Sequence, residues 1–220
     1  MKTSSAVGPL ASGRVQHAKK AFWIYLFAAA LLALSFQAKA GSKQNPKGDQ
    51  KMEKAPIVQI ETSEGMIEVE LNKEKAPISV ENFLKYADEG FYEGTIFFFF
   101  FKSFMIQGGG FDQKMNQKST HDQIKNEASN GLKNDKYTIA MARTNVVDSA
   151  SSQFFINTKD NGFLNYRSPN PQEYGYAVFG KVVSGTDVVD KIDAVSTGVK
   201  SGMSDVPEKA VVIKSVKRKK

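Results

Sequence analysis

The 220-residue chain contains no cysteine, which excludes a disulfide framework, a thiol nucleophile and a cysteine-ligated metal site. That absence is compatible with either redox compartment. Histidine is nearly as scarce, and beyond the first forty residues only His121 remains, inside a polar stretch. It reads as a solvated loop residue. The Gly-x-Ser-x-Gly, His-Glu-x-x-His and phosphate-loop patterns are missing too, so a hydrolase triad or a zinc site has almost nothing to build on. Acidic residues are absent from residues 1–40, where five basic residues stand, and the last seven residues hold five more. The formal net charge of +7 therefore belongs to the two ends, and the stretch between them is slightly acidic. A nucleic-acid-binding domain is not expected from such a distribution.

The one long apolar run is Ala21–Phe36, preceded by Lys19-Lys20 and followed by Gln37-Ala38-Lys39-Ala40. A basic start, an apolar centre and an A-x-A site describe a secretory signal peptide over residues 1–40, cut between Ala40 and Gly41. Sixteen residues fall short of the roughly 20 needed to span a bilayer, although an uncleaved anchor is the competing reading. Cleavage implies a periplasmic or secreted protein with no stable membrane anchor. Residues 41–54 are polar and rich in Gly, Pro, Lys and Gln, which suits a flexible linker.

At 41% hydrophobic, the rest can bury a substantial core as one domain over residues 55–216, with 217–220 as a solvated basic tail. Ile57–Thr62 and Met66–Leu71 alternate around Ser63-Glu64-Gly65, the pattern of a β-hairpin with one wet face. That face carries Glu68 and Glu70, and Glu81 and Glu89 fall on the polar side of the next element, so these carboxylates read as solubilising. A helix is expected after Pro77, capped by Ser79, with Val80, Phe83, Leu84 and Ala87 on one stripe, ending at Gly90. Asp112–Lys136 shows no usable periodicity and reads as a surface loop bordering a site. Thr138–Ala142, Gln153–Asn157, Tyr176–Gly180 and Ala210–Val216 are short strand candidates, and Asp187–Ile192 suits a second helix. Many short strands with two helices point to a β-barrel or sandwich.

The most unusual stretch runs from Gly94 to Phe111, with Phe97–Phe101 unbroken. Ile96–Phe101 and Phe104–Ile106 read as two strands joined at Lys102-Ser103, the second ending in Gly108-Gly109-Gly110. The glycines do not open a helix, so a phosphate cradle is not expected. What remains is an apolar pocket with few fixed polar groups, drawn from Phe104, Met105 and Gln107, from Ala142 and Arg143, from Gln153, Phe154 and Phe155, and from Phe163, Leu164 and Tyr176. A slot of that kind suits a peptide with a proline-sized anchor. The alternative is that these aromatics simply fill a barrel.

On these residues the chain resembles the cyclophilins, a family of peptidyl-prolyl cis-trans isomerases, and most of all the periplasmic type of Gram-negative bacteria. The matching pieces are Ala76-Pro77 with Val80–Phe83, Gly90-Phe91-Tyr92, Phe104–Phe111, Lys125-Asn126-Glu127, Thr138–Ala142, Ser151–Ile156 and Tyr176–Gly180. The resemblance implies a mainly β fold, an eight-stranded antiparallel barrel closed by two α-helices. It implies an isomerase working without cofactor or metal, as a monomer, on proline-containing peptides and unfolded exported proteins. Phe104, Met105, Phe155 and Leu164 would form the proline pocket, with Phe163 where many relatives have Trp and Tyr176 where many have His. Gln107, Ala142, Arg143 and Gln153 would line the groove for the peptide backbone.

One departure is severe. Where the family reads Phe-His-Arg-Val-Ile, this chain has five phenylalanines. Phe99 stands at the catalytic arginine's position and Phe98 at the neighbouring histidine's. The rotation barrier of about 18–20 kcal/mol comes from the nitrogen sharing its lone pair with the carbonyl. A guanidinium beside the prolyl amide favours the twisted geometry, and a phenyl ring offers no donor. Strand alternation would aim Phe99 at the pocket mouth and turn Phe98 and Phe100 to the opposite face. Two readings follow: an isomerase with impaired turnover, or a proline-peptide-binding chaperone module without turnover.

Overall fold

The computed structural model describes residues 55–200 and 203–220, so the expected leader 1–40 and linker 41–54 lie outside the described residues. Among the described residues the strands are β1 (Ile57–Thr62), β2 (Met66–Leu71), β3 (Thr95–Phe101), β4 (Met105–Asp112), β5 (Thr138–Met141), β6 (Phe154–Asn157), β7 (Val178–Ser184), β8 (Thr197–Lys200), β9 (Met203–Pro207) and β10 (Val211–Arg218). The helices are α1 (Pro77–Asp88) and α2 (Thr186–Asp193). Eight strands close into an antiparallel barrel in the order β1-β10-β3-β4-β6-β5-β7-β2, and β8 and β9 pair separately. The expected eight-stranded barrel with two helices is what the chain forms.

Period-two patterning sets the barrel wall. Val58 and Ile60 of β1 and Ile67, Val69 and Leu71 of β2 are buried, while Glu68 and Glu70 between them face outward. The α1 stripe of Val80, Phe83, Leu84 and Ala87 is buried as its 3.6-residue spacing requires. Phe83 reaches into the barrel end, where its ring lies 5.2–5.4 Å from those of Tyr92, Phe154 and Phe179. Gly90 ends the helix at φ +67°.

The start of α1 differs from the expectation. Ser79 is not the cap: Pro77 takes the first helical turn and Ser79 lies inside the helix. The exposed amides are instead met by a side chain 48 residues away. Ile78 N and Ser79 N donate to the two carboxylate oxygens of Glu127 at 3.0 and 2.7 Å, and Ser79 Oγ adds a third bond at 2.7 Å. A carboxylate suits the positive end of the helix dipole. The polar stretch 112–136 is thereby tied to the helix, and it is also bridged to the body by Ile124 pairing with Ala150. His121 is exposed within it, with Nε2 2.7 Å from Glu89 and its ring 5.0 Å from that of Tyr86.

At the far end, β10 runs through Arg218, whose guanidinium forks onto both oxygens of Asp88 at 3.0 and 2.6 Å. Those bonds hold the Asp88 carboxyl below its usual range. The β8–β9 hairpin had no signal in the sequence; β9 runs beside β3.

The turn from β3 to β4 carries Ser103 at φ +57°, with its amide donating to Asp193 of α2 at 3.1 Å. A left-handed residue with a Cβ costs about 1–2 kcal/mol, partly offset by the entropy that glycine would lose. Ser103→Gly is expected to raise stability by about 0.5–1 kcal/mol, read as a Tm increase of about 1–3 °C. Glu127→Ala removes the remote cap and is expected to lower stability by about 1–2 kcal/mol. An unchanged denaturation midpoint in the second variant would disprove the capping role.

Candidate functional site

The hairpin β3–β4 is irregular, and the irregularity decides what each phenylalanine does. Phe97 pairs with Gly108 and Phe99 with Gln107, so two residues of β3 span one step of β4 and Phe98 is the extra residue of a bulge. Phe97 and Phe100 are therefore both buried in the main core. Alternation predicts one face for Phe98 and Phe100; because of the bulge, Phe98 does not join Phe100 in that core, and its ring packs on Phe111, centroids 4.5 Å apart. Phe99 faces the other way, half-buried against a second apolar cluster. β4 also continues through its glycines to Asp112 instead of ending at them.

From Phe99, one row of directly paired residues crosses five strands: Phe99, Gln107, Phe155, Ala140 and Val178. Neighbours in such a row have Cβ atoms about 4.5–5.5 Å apart and share a face. Met105, two residues before Gln107, joins that face. Met105, Ala140, Phe155 and Val178 form the buried floor, and Phe99, Phe104, Leu132, Ala142, Leu164 and Tyr176 pack around it. Tyr176 meets Phe155 edge-on at 5.6 Å, and Phe163 stacks on Phe104 at 5.4 Å while remaining 63% exposed. The aromatics picked from the sequence therefore converge on one slot outside the main core. Phe154 is the exception, since it lies in that core.

The polar edge is built by Gln107 and Gln153, where Nε2 of Gln107 donates to Oε1 of Gln153 at 2.8 Å. That bond leaves the Gln107 carbonyl as an acceptor and the Gln153 amide as a donor. Gln153 lies across Gly110, where a Cβ would come within 2.6 Å of its side chain. The segment before it is pinned at each step. Asn82 Nδ2 donates to Ser151 O at 2.6 Å, Tyr92 Oη to Ser152 O at 2.9 Å, and Ser152 Oγ to Gly109 O at 2.8 Å. Burial pushes the Tyr92 phenol well up, which keeps it a neutral donor.

Arg143, expected to line the groove, spends its guanidinium on backbone. Nε donates to Gly175 O at 2.9 Å, and the two terminal nitrogens donate to Thr144 O at 2.9 Å and Pro171 O at 3.3 Å. It also lies 4.9 Å from the centroid of the Tyr176 ring. The slot is ringed by apolar side chains and the Tyr176 ring, and the cation beside it, Arg143, has its guanidinium bonded to three backbone carbonyls. Such a site can hold a proline ring and pair with a peptide backbone, but it offers no charged donor at Phe99.

Sequence reasoning left several positions without a role. Ala140 and Val178 are in the floor, and the alternation of Ala140 with Ala142 would have pointed to the first. Asn126 donates from Nδ2 to Val147 O at 3.2 Å and Gly175 O at 3.3 Å, and its own amide is held by Asp148 at 2.8 Å. Asn161 is fully buried and donates to Phe104 O at 2.8 Å, fixing the slot's lip. Both contacts join segments far apart in the chain.

The family model for "Cyclophilin type peptidyl-prolyl cis-trans isomerase/CLD" matches residues 57–218. Over 160 residues the chain is 58% identical to peptidyl-prolyl cis-trans isomerase cyp18 of Streptomyces antibioticus, covering 73% of this chain and 96% of that one. It is 53% identical over 161 residues to peptidyl-prolyl cis-trans isomerase B of Escherichia coli, covering 73% and 98%. The crystal structure of a Cryptosporidium parvum cyclophilin type isomerase in the presence of the dipeptide Ala-Pro is similar at a TM-score of 0.64. That structure is 26% identical, with 74% of this chain and 99% of that one covered.

The Gly110→Ala variant tests the polar edge. The added methyl is expected to push Gln153 off Gln107 and weaken binding of a proline peptide by about three- to tenfold, the worth of one neutral hydrogen bond. Titration against the parent measures it, with circular dichroism confirming that the variant folds.

Proposed function

The chain belongs to the cyclophilin-type peptidyl-prolyl cis-trans isomerase family, and we propose that it captures proline-containing segments of exported proteins while turning them over slowly. The proline ring enters between Met105, Phe155 and Leu164, and the flanking backbone pairs with Gln107 and Gln153. The observation that carries this reading is the placement of Phe99 in one row with Gln107 and Phe155. The side chain at position 99 borders the slot, and it is apolar.

Catalysis of this rotation rests on stabilising a twisted amide whose nitrogen has recovered its lone pair. Loss of one preorganised donor costs about 2.7–4 kcal/mol, a rate reduction of about a hundred- to a thousandfold. Ring capture loses less, because the floor of Met105, Ala140, Phe155 and Val178 is intact. That difference supports binding without fast turnover, the behaviour of a chaperone module. Action on exported proteins, in the periplasm or outside the cell, rests on the leader pattern of residues 1–40 and the cut after Ala40. Action as a monomer is part of the same proposal.

A protease-coupled prolyl-isomerisation assay on the parent and two variants tests the reading. Phe99→Arg is expected to raise kcat/KM by about two orders of magnitude or more. Phe98→His alone is expected to change it little, because Phe98 packs on Phe111 and not on the slot. A folded Phe99→Arg variant no faster than the parent would show that position 99 is not where the donor is missing. A parent as fast as the variant would refute the requirement for a donor.

A further inference from the structure

The chain contains two Asn-Gly pairs, Asn130-Gly131 and Asn161-Gly162, and the fold treats their asparagines differently. Asn161 is fully buried, with Nδ2 donating to Phe104 O at 2.8 Å and to Asn157 Oδ1 at 2.7 Å. Asn130 is half-buried at the end of a short 3-10 turn, Ala128–Asn130, and Gly131 after it is exposed. Gly131 takes φ +85°, and a Cβ built there would meet nothing within 4 Å. With no Cβ beside it and water around it, the Gly131 nitrogen is sterically free to approach the preceding side chain.

The Asn130 side chain is held against its own backbone. Oδ1 accepts from Leu132 N at 2.9 Å, so the side chain bends around the Gly131 amide as in an Asx-turn. That same N–H is the donor that an oxygen gaining negative charge on Cγ requires. Nδ2 donates to Val178 O at 2.9 Å. Val178 lies in the floor of the proline slot, and Leu132 packs around that floor. One side chain thus holds the slot at two points and stands next to an open glycine amide.

We propose that Asn130-Gly131 is a self-modification site, at which Asn130 becomes aspartate or isoaspartate and the proline slot is loosened. Gly131 N gives its proton to water and bonds to Cγ of Asn130. The Cγ–Nδ2 bond breaks, and Nδ2 takes up a proton from water and leaves as ammonia. Water then adds to either carbonyl of the cyclic imide, and ring opening leaves a carboxyl group. Nothing is oxidised or reduced; water enters and ammonia leaves.

The new carboxylate cannot donate to Val178 O, so two acceptors face each other where a hydrogen bond had stood. In the isoaspartate form the main chain runs through the former side chain, which lengthens the link to Leu132. The effect on affinity rests on the proline-slot reading above; the modification itself does not.

Ageing the full chain at mildly alkaline pH, with peptide mapping by mass spectrometry, tests the site. The amide-to-acid mass change is expected at Asn130 ahead of Asn161, with ammonia released in equal amount. Gly131→Ala is expected to slow it by about two- to fivefold or more, because the methyl restricts the approach of the nitrogen. Conversion at Asn130 that is absent, no faster than at Asn161, or unslowed in Gly131→Ala overturns the site. Titration with a proline peptide then reads the slot. The aged chain and the Asn130→Asp variant should bind about three- to tenfold more weakly than the fresh chain, the worth of one neutral hydrogen bond. The NMR signals of Leu132 and Val178 should move with that loss, and the aged chain alone gives the reading if the variant does not fold. Conversion that leaves affinity and those signals unchanged overturns the loosening. A fresh chain that binds no proline peptide overturns the slot reading, and the loosening with it, while the modified site stands.

Discussion

Everything at the site depends on the register of β3 against β4. Of the two register shifts in this hairpin, the bulge at Phe98 lets two residues of β3 pass one step of β4, and it thereby turns Phe97 and Phe100 inward and Phe99 toward the slot. Without that bulge, Phe97 and Phe99 would fall on the same face. The glycine run of β4 accommodates the bulky strand, because a Cβ at Gly108 would lie 2.9 Å from the Phe97 ring. The partner strand is bare only opposite Phe97; Phe99 and Phe100 face Gln107 and Ile106, and the bulge sends their rings to different sides.

The slot is held by contacts between distant segments more than by its own strands. Glu127 caps α1, Asn126 and Arg143 converge on Gly175 O, and Asn161 fixes the carbonyl of Phe104. The loops around the slot thereby become a frame. The frame suits capture of a rigid ring, where little side-chain entropy is lost on binding. It does not replace the missing donor: Arg143, a cation at the groove, is bonded to three backbone carbonyls and packed on Tyr176.

Much of this was legible in the residues. Alternation placed β1 and β2, the apolar stripe placed α1, and the aromatic pieces around Phe104, Phe155 and Tyr176 named the slot. The bulge was not legible, because five identical side chains carry no alternation from which to read a face. Glu127 and Asn126 were quoted without a role, since their partners lie 21–49 residues away and no local pattern marks such a bond. The cap was assigned to Ser79 because serine is a common cap, yet Pro77 had already begun the helix. The β8–β9 hairpin lies between α2 and β10 in a stretch too short and polar to stand out.

The central claim is that a proline peptide occupies the slot beside Phe99 without being rotated quickly there. Two-dimensional exchange NMR on a proline peptide mixed with the parent chain measures occupancy and rotation in one sample. The account predicts that the peptide's resonances shift on titration and that the Met105 and Phe155 signals move with them. It also predicts no cis–trans exchange peaks at mixing times of about a second, since uncatalysed rotation takes tens of seconds or longer. Strong exchange peaks from a catalytic amount of the parent would contradict it, and so would a peptide that leaves Met105 and Phe155 undisturbed.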